Sequence, residues 1–255
     1  MAGLRAAWRL ARALAHAIAG YCTILFVFPR LDEAGRQQRV QLWAGRMLHV
    51  LGIGLEVRGV PPTRGPVLLV SNHISWLDIL VMHAARHCRF VSKADVKRWP
   101  LIGPMATGAG TLYIERESRR DAMRVVHHMA ERLQAGDILA AFPEGTTSEG
   151  RELLPFHANL VQSAISAQAP VQPVALTFID ARTRELSLLP CYIGDDTLVA
   201  SLWRTLTGRP VVAVVAYGEP QQAQGRDRRA WAADLRRAVQ GLREAVLAGD
   251  GATAR

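Results

Sequence analysis

The residues best suited to chemistry fall in four short segments. The first is Ser71-Asn72-His73-Ile74-Ser75-Trp76-Leu77-Asp78, at the end of the apolar run 67–70. An imidazole held by a carboxylate is the usual pairing for a general base. On a regular helix, residues five apart diverge by about 140° at 100° per residue. His73 and Asp78 therefore meet only if His73 stays in a loop and Asp78 falls in the first turn of a helix capped by Ser75. A plainer reading uses the same residues: Ser75 and Asp78 alone make a capping box and leave His73 as an ordinary loop residue. Local sequence leaves both readings open.

The second segment, Gly110-Thr111-Leu112-Tyr113-Ile114-Glu115-Arg116, reads as a strand ending in a cation. Arg116 is either a surface charge or a guanidinium placed to hold a phosphate through two hydrogen bonds. The third, Ala141-Phe142-Pro143-Glu144-Gly145-Thr146-Thr147-Ser148, runs from a strand into a turn with an acid at its mouth. The fourth is Ala169-Pro170-Val171-Gln172-Pro173-Val174, where a proline inside a β-rich run suggests an edge strand or bulge. No G-x-S-x-G elbow, HExxH pair or dense His/Cys cluster occurs, so neither an enzyme nucleophile nor a metal is implied. Cys22, Cys88 and Cys191 form no CxxC pair and no disulfide framework, which suits a reducing interior.

The elements that must position these segments follow from hydrophobic patterning. Strands are expected at 55–60, 66–71, 89–92, 110–115, 137–142, 171–178, 186–193 and 211–217, with helices at 75–85, 121–135, 157–167 and 228–247. That alternation implies an α/β fold: a largely parallel central sheet wrapped by helices, with ligands bound at the carboxyl ends of the strands. Ser118 and Asp121 have capping-box spacing, and Gly136 closes that helix. The last helix sets Trp231, Leu235, Val239, Leu242 and Val246 on one stripe. Its other face, with Arg229, Arg236, Arg237 and Arg243, reads as solvated rather than as a second membrane contact.

Residues 1–50 differ in character. Arg5, Arg9 and Arg12 precede an apolar run at 13–29, closed by Arg30 without a small-x-small cleavage site. The run sits at the short limit for crossing a hydrocarbon core roughly 30 Å thick. A second helix follows, with Val40, Trp43, Met47 and Val50 on its stripe and Arg36, Arg39 and Arg46 off it. The pair suits a hairpin embedded in one leaflet; the alternative is two core-packing helices. Three regions are expected: membrane-associating helices at 1–50, a main domain at 51–220, and a C-terminal amphipathic helix and tail at 221–255. The 255 residues carry 31 Lys plus Arg against 22 Asp plus Glu, a formal charge of +9 that favours anionic partners such as an acidic membrane surface, phosphorylated substrates or acidic carrier proteins. Aromatics are 6% and are not interleaved with basic runs, which argues against nucleic acid.

Taken together, the four segments resemble the motifs of the PlsC-type glycerolipid acyltransferase family. Asn72, His73 and Asp78 match its first motif, Gly110, Ile114 and Arg116 its second, Phe142-Pro143-Glu144-Gly145-Thr146 its third, and Pro170-Val171-Gln172-Pro173-Val174 its fourth. The resemblance implies that His73 is the base, that Asp78 orients it, and that the acceptor's own hydroxyl is the nucleophile. It assigns Arg116 to the acceptor phosphate, with Lys93 as a second cation, and it places Asn72, Glu144, Gly145 and Thr146 around the substrate. It further implies 1-acyl-sn-glycerol-3-phosphate as acceptor, giving phosphatidate, acyl-CoA or acyl-carrier protein as donor, no cofactor, and residence at the cytoplasmic face of a bacterial inner membrane. One departure stands out: Thr147 occupies a position where many lysophosphatidate-using members carry Arg. The Thr-Thr-Ser form, with His-Ile-Ser-Trp-Leu-Asp in the first motif, also resembles relatives that acylate lyso-ornithine lipid. A non-catalytic lipid-binding role is the remaining alternative, against which the intact His73/Asp78 pair argues.

Overall fold

A computed structural model describes residues 2–114 and 119–249, with the side chains of Ala2, Ile114 and residues 119–122 left aside. The chain opens with two helices, α1 (Ala2–Phe26) and α2 (Glu33–Leu51), then β1 (Gly54–Arg58), β2 (Val67–Ser71), α3 (Leu77–Ala85) and β3 (Arg89–Lys93). A short helix α4 (Ile102–Gly108), β4 (Leu112–Ile114), α5 (Arg119–Gln134), β5 (Ile138–Ala141), α6 (Ala158–Ala167) and β6 (Val171–Asp180) follow. The chain continues through α7 (Leu198–Thr207), β7 (Val211–Tyr217) and α8 (Arg228–Leu247). Asp32 caps α2 by accepting the Gly35 N–H, and Gly52 ends it in the left-handed region at φ 75°, where a side chain would be strained.

The seven strands form one sheet in the order β1-β7-β6-β2-β5-β3-β4. From β6 to β4 neighbours pair in parallel; β7 runs antiparallel to β6, and β1 is parallel to β7. Every residue of β2 is buried, as expected for a continuous apolar strand covered on both faces. One face carries α1, α2, α3 and α7, whose Ala6, Ala13, Leu48, Val81 and Leu206 join the sheet's core. The other carries α5, α6 and α8, through residues such as Met129, Leu133, Val161 and Trp231. The first two helices therefore share the core of the main domain.

Four local features differ from the sequence reading. No strand forms over 186–193; Leu186 makes a single antiparallel bridge to Ile179, and the chain then turns, with Cys191 N–H on Leu188 O. Pro190 lacks a ladder donor inside that run, which accounts for the difference. Helices α4 and α7 were not expected: α4 contains Gly103, Pro104 and Gly108, all weak helix formers. Pro173 lies in the interior strand β6, not at an edge. It faces Gly218, which donates to Pro173 O; the Gly218 carbonyl, lacking the proline's return N–H, takes Gln172 Nε2 at 2.8 Å instead. The fourth concerns α8, whose arginine face is only partly solvated: Arg229 and Arg237 are exposed, whereas Arg243 is buried and Arg236 half-buried.

Candidate active site

The site forms where β2 ends and the chain turns into α3. Asn72 fixes the turn: its Nδ2 donates to Leu176 O at 2.9 Å and its Oδ1 accepts from Leu176 N at 2.8 Å. Expected among the substrate ligands, Asn72 instead faces the backbone of β6, buried, and anchors the loop. The next residue, His73, stays outside the helix, and its ring stacks on Phe142 at 4.0 Å between centroids and 6° between planes.

Asp78 is the second residue of α3, in its first turn. Its Oδ2 accepts three hydrogen bonds: His73 Nδ1–H at 2.8 Å, Ile74 N–H at 2.7 Å and Ser75 N–H at 2.9 Å. Ser75 Oγ accepts the Leu77 N–H at 3.3 Å. One carboxylate oxygen thus makes both the capping-box contact to Ser75 N–H and the contact to His73 that a catalytic pair requires, although Trp76 rather than Ser75 takes the N-cap position of α3. With Nδ1 donating to Asp78, Nε2 is the free basic nitrogen, and it makes no hydrogen bond among the described residues. The second Asp78 oxygen, Oδ1, is buried without a partner.

Glu144 comes from the turn after β5, which lies beside β2 in parallel and so delivers its carboxyl end to the same edge. Its Oε1 accepts the His73 N–H at 3.1 Å and its Oε2 the Leu154 N–H at 3.2 Å. Burial pushes this carboxyl above its usual range, opposed by those two backbone donors. Expected around the substrate, Glu144 is 4% exposed, with both oxygens taken up by backbone N–H groups, one of them that of His73. Gly145 permits the tight turn at φ 74°, with its N–H on Phe142 O. Thr146 is exposed beside it. Thr147 Oγ1 donates to Tyr192 O, and Ser148 N–H donates to His73 O at 2.9 Å.

Lys93 ends β3 in an exposed position, at the same edge because β3 is parallel to β5. Arg116 lies outside the described residues; β4, the strand before it, pairs Ile114 with Lys93. Sequence reasoning did not find the Phe142 ring under His73, nor the backbone N–H groups of Ser148 and Leu154. Phe142 was visible inside the third motif, but nothing local signalled its contact. No group of three His, Cys, Asp or Glu side chains placed to hold a metal occurs among the described residues.

An imidazole oriented by a buried carboxylate, at the carboxyl edge of a parallel sheet, has the geometry of a general base. The chain belongs to the PlsC-type acyltransferase family: the Acyltransferase family model matches residues 54–177. It is 38% identical over 94% of its length to a lyso-ornithine lipid O-acyltransferase of Pseudomonas aeruginosa, covering 93% of that protein. It is 42% identical over 69% of its length to a 1-acyl-sn-glycerol-3-phosphate acyltransferase of Neisseria meningitidis, covering 68% of it. The crystal structure of the 1-acyl-sn-glycerophosphate acyltransferase PlsC from Thermotoga maritima shares the fold, with a TM-score of 0.63 over 92% of this chain and 97% of that one at 20% identity.

Proposed function

We propose that the chain moves a fatty acyl group from a thioester donor, acyl-CoA or acyl-carrier protein, to the free hydroxyl of a lysolipid, with 1-acyl-sn-glycerol-3-phosphate as acceptor and phosphatidate as product. The observation that carries the reading is His73 Nδ1 tied to Asp78 at 2.8 Å with Nε2 unengaged. Nε2 takes the hydroxyl proton as the oxygen attacks the thioester carbonyl, and Asp78 stabilises the imidazolium that results. Collapse of the tetrahedral intermediate breaks the C–S bond, and the proton passes from Nε2 to the leaving sulfur. Arg116 and Lys93 are assigned to the acceptor's anionic head, and Thr146 and Gly145 to the rim of its pocket.

A second acceptor, lyso-ornithine lipid, is favoured by one specific observation. Thr147 stands where an arginine would add a cation, and its hydroxyl is occupied by Tyr192 O. The near full-length likeness to the Pseudomonas aeruginosa protein points the same way.

We also place the chain on the cytoplasmic face of a bacterial inner membrane. No helix among the described residues is long and apolar enough to cross a membrane. Yet Leu4, Trp8, Leu14, Ile18, Leu25 and Phe26 of α1 are all exposed. At 100° per residue they fall within an arc of about 120°, the pattern of a helix lying in one leaflet.

The test is acyl transfer by purified protein in mixed micelles, with each donor against a panel of lysolipids and His73→Ala as control. Thiol release that depends on lysophosphatidate and on His73 supports the reading. Transfer confined to lyso-ornithine lipid selects the second acceptor, and no transfer to any lysolipid from either donor overturns both.

A further inference from the structure

The segment after the Phe-Pro-Glu-Gly-Thr motif, residues 148–154, touches the catalytic loop at two points. Ser148 N–H holds the His73 carbonyl at 2.9 Å, and Leu154 N–H holds Glu144 Oε2 at 3.2 Å, while Glu144 Oε1 holds the His73 N–H. Both peptide groups flanking the base thus depend on where this segment lies. It contains no helix or strand to hold itself in place.

The segment is held from the far side by α8. Arg243 donates through Nη2 to the carbonyls of Gly150 and, at 2.7 Å, Arg151. Arg236 donates through Nε to Leu154 O at 3.1 Å and through Nη2 to Leu153 O. Seven residues apart, the two guanidiniums lie on one face of the helix, two turns from each other. Four carbonyls of one short loop are gathered by them.

Arg243 is 3% exposed, its Nε has no partner, and no carboxylate lies within ion-pair distance of it among the described residues. Burying a cation without a paired anion is unfavourable, and the charge-assisted hydrogen bonds to the Gly150 and Arg151 carbonyls are what offset the loss at contact distance. Burial pushes the Arg243 guanidinium below its ordinary range, opposed from beyond contact distance by Glu244, Glu144 and Glu152.

We propose that Arg236 and Arg243 form a clamp on α8 that positions Glu144, and through it the backbone of His73, for acyl transfer. The inference rests on the proposed acyltransferase reading, but part of its test does not. Both are positioning residues, since neither touches the dyad.

The experiment compares wild type, Arg243→Met, Arg243→Lys, Arg236→Met and Glu144→Gln, with Glu144→Gln/Arg243→Met completing a double-mutant cycle. Arg243→Met should lower kcat about 10- to 100-fold, the scale of a misplaced catalytic group, with both KM values changing less than about threefold. Arg243→Lys should recover part of the loss, because an ammonium donates to the same carbonyls without the fork. In the Glu144→Gln background, Arg243→Met should lower kcat by less than about threefold more, because the two act along one chain of contacts. A fully multiplicative loss, or an unchanged kcat in a merely less stable protein, overturns the proposal. If Arg243→Met does not fold, Arg236→Met carries the same comparison. Amide hydrogen exchange gives a readout independent of activity: the His73 and Leu154 amides should exchange at least about tenfold faster in the clamp variants. Unchanged protection there refutes the clamp even if no lysolipid proves to be a substrate.

Discussion

Replacing Asp78 by Asn separates charge from shape at the one oxygen where helix and base meet. The new amide has two settings. With its nitrogen toward His73, two backbone donors, Ile74 N–H and Ser75 N–H, would face an NH2 group instead of an oxygen. Each buried donor so stranded costs about 1–3 kcal/mol, so this setting is disfavoured. With its oxygen in the Oδ2 position all three hydrogen bonds survive, and Nε2 remains the free base. What disappears is the negative charge opposite the imidazolium. A hydrogen bond to a charged group contributes about 1.5–3 kcal/mol and a neutral one about 0.5–1.5, a difference of about 1–2 kcal/mol. At 1.36 kcal/mol per decade, kcat should fall roughly 5- to 30-fold. The amide nitrogen then occupies the Oδ1 position, buried and without an acceptor. That orphaned donor, about 1–3 kcal/mol, should lower Tm by about 2–12 °C at ~2–4 °C per kcal/mol. The assay is thiol release from acyl-CoA with a saturating lysolipid, alongside thermal unfolding, with His73→Ala marking the floor. A kcat within about twofold of wild type would refute a role for the carboxylate's charge. A loss near 10⁴-fold, the scale of an inverted tautomer, would show that the two backbone donors do not fix the amide.

Two further outcomes follow from packing. Changing Leu4, Trp8 and Ile18 to Gln should release the chain from anionic vesicles in a sedimentation assay while leaving Tm nearly unchanged, because those side chains face outward; a variant that stays bound places the membrane contact elsewhere. Truncating 1–30 would be a poorer probe, since it also removes Ala6 and Ala13 from the core. His83 and His87 are buried with pKa values pushed down to about 3 and about 4, chiefly by desolvation. An unfolded histidine titrates near 6.5, so the folded state binds fewer protons below that pH, and the stability these groups contribute is present above 6.5 and lost as pH falls toward their folded values. His83→Leu should therefore lose less Tm than wild type between pH 7 and pH 5, and an identical drop would contradict the assignment.

What the sequence made legible was periodic or local. The final helix and the last strand follow from patterning alone and occur over 228–247 and 211–217. The meeting of His73 and Asp78 was one of two readings that local sequence left open, and the family resemblance favoured it; it needs only a loop and a helix's first turn within six residues. Glu144 was visible as an acid at a strand end, but its partner, the His73 N–H, lies 71 positions away and leaves no trace in spacing. Arg236 and Arg243 of α8 misled for a related reason: a charged face reads as solvated unless the loop that covers part of it is already known. Pro173 was misplaced because its missing donor is made good by Gln172 and Gly218, a compensation that only the strand pairing reveals.

The sharing of one oxygen between the cap of α3 and the base bears on how variants of this chain should be interpreted. A descendant that had abandoned acyl transfer while keeping its shape would still need an acceptor oxygen at 78 to close the first turn of that helix, and aspartate supplies it without leaving a buried amide nitrogen. The aspartate is thus a marker of architecture as much as of turnover. Among the described residues the imidazole at 73 makes no hydrogen bond other than the one to Asp78, and it rests on Phe142, so the folded chain could dispense with it. Of the two residues, His73 is the diagnostic one: its loss, with Asp78 retained, would be the signature of a protein that had turned from catalysis to some other use of the same scaffold.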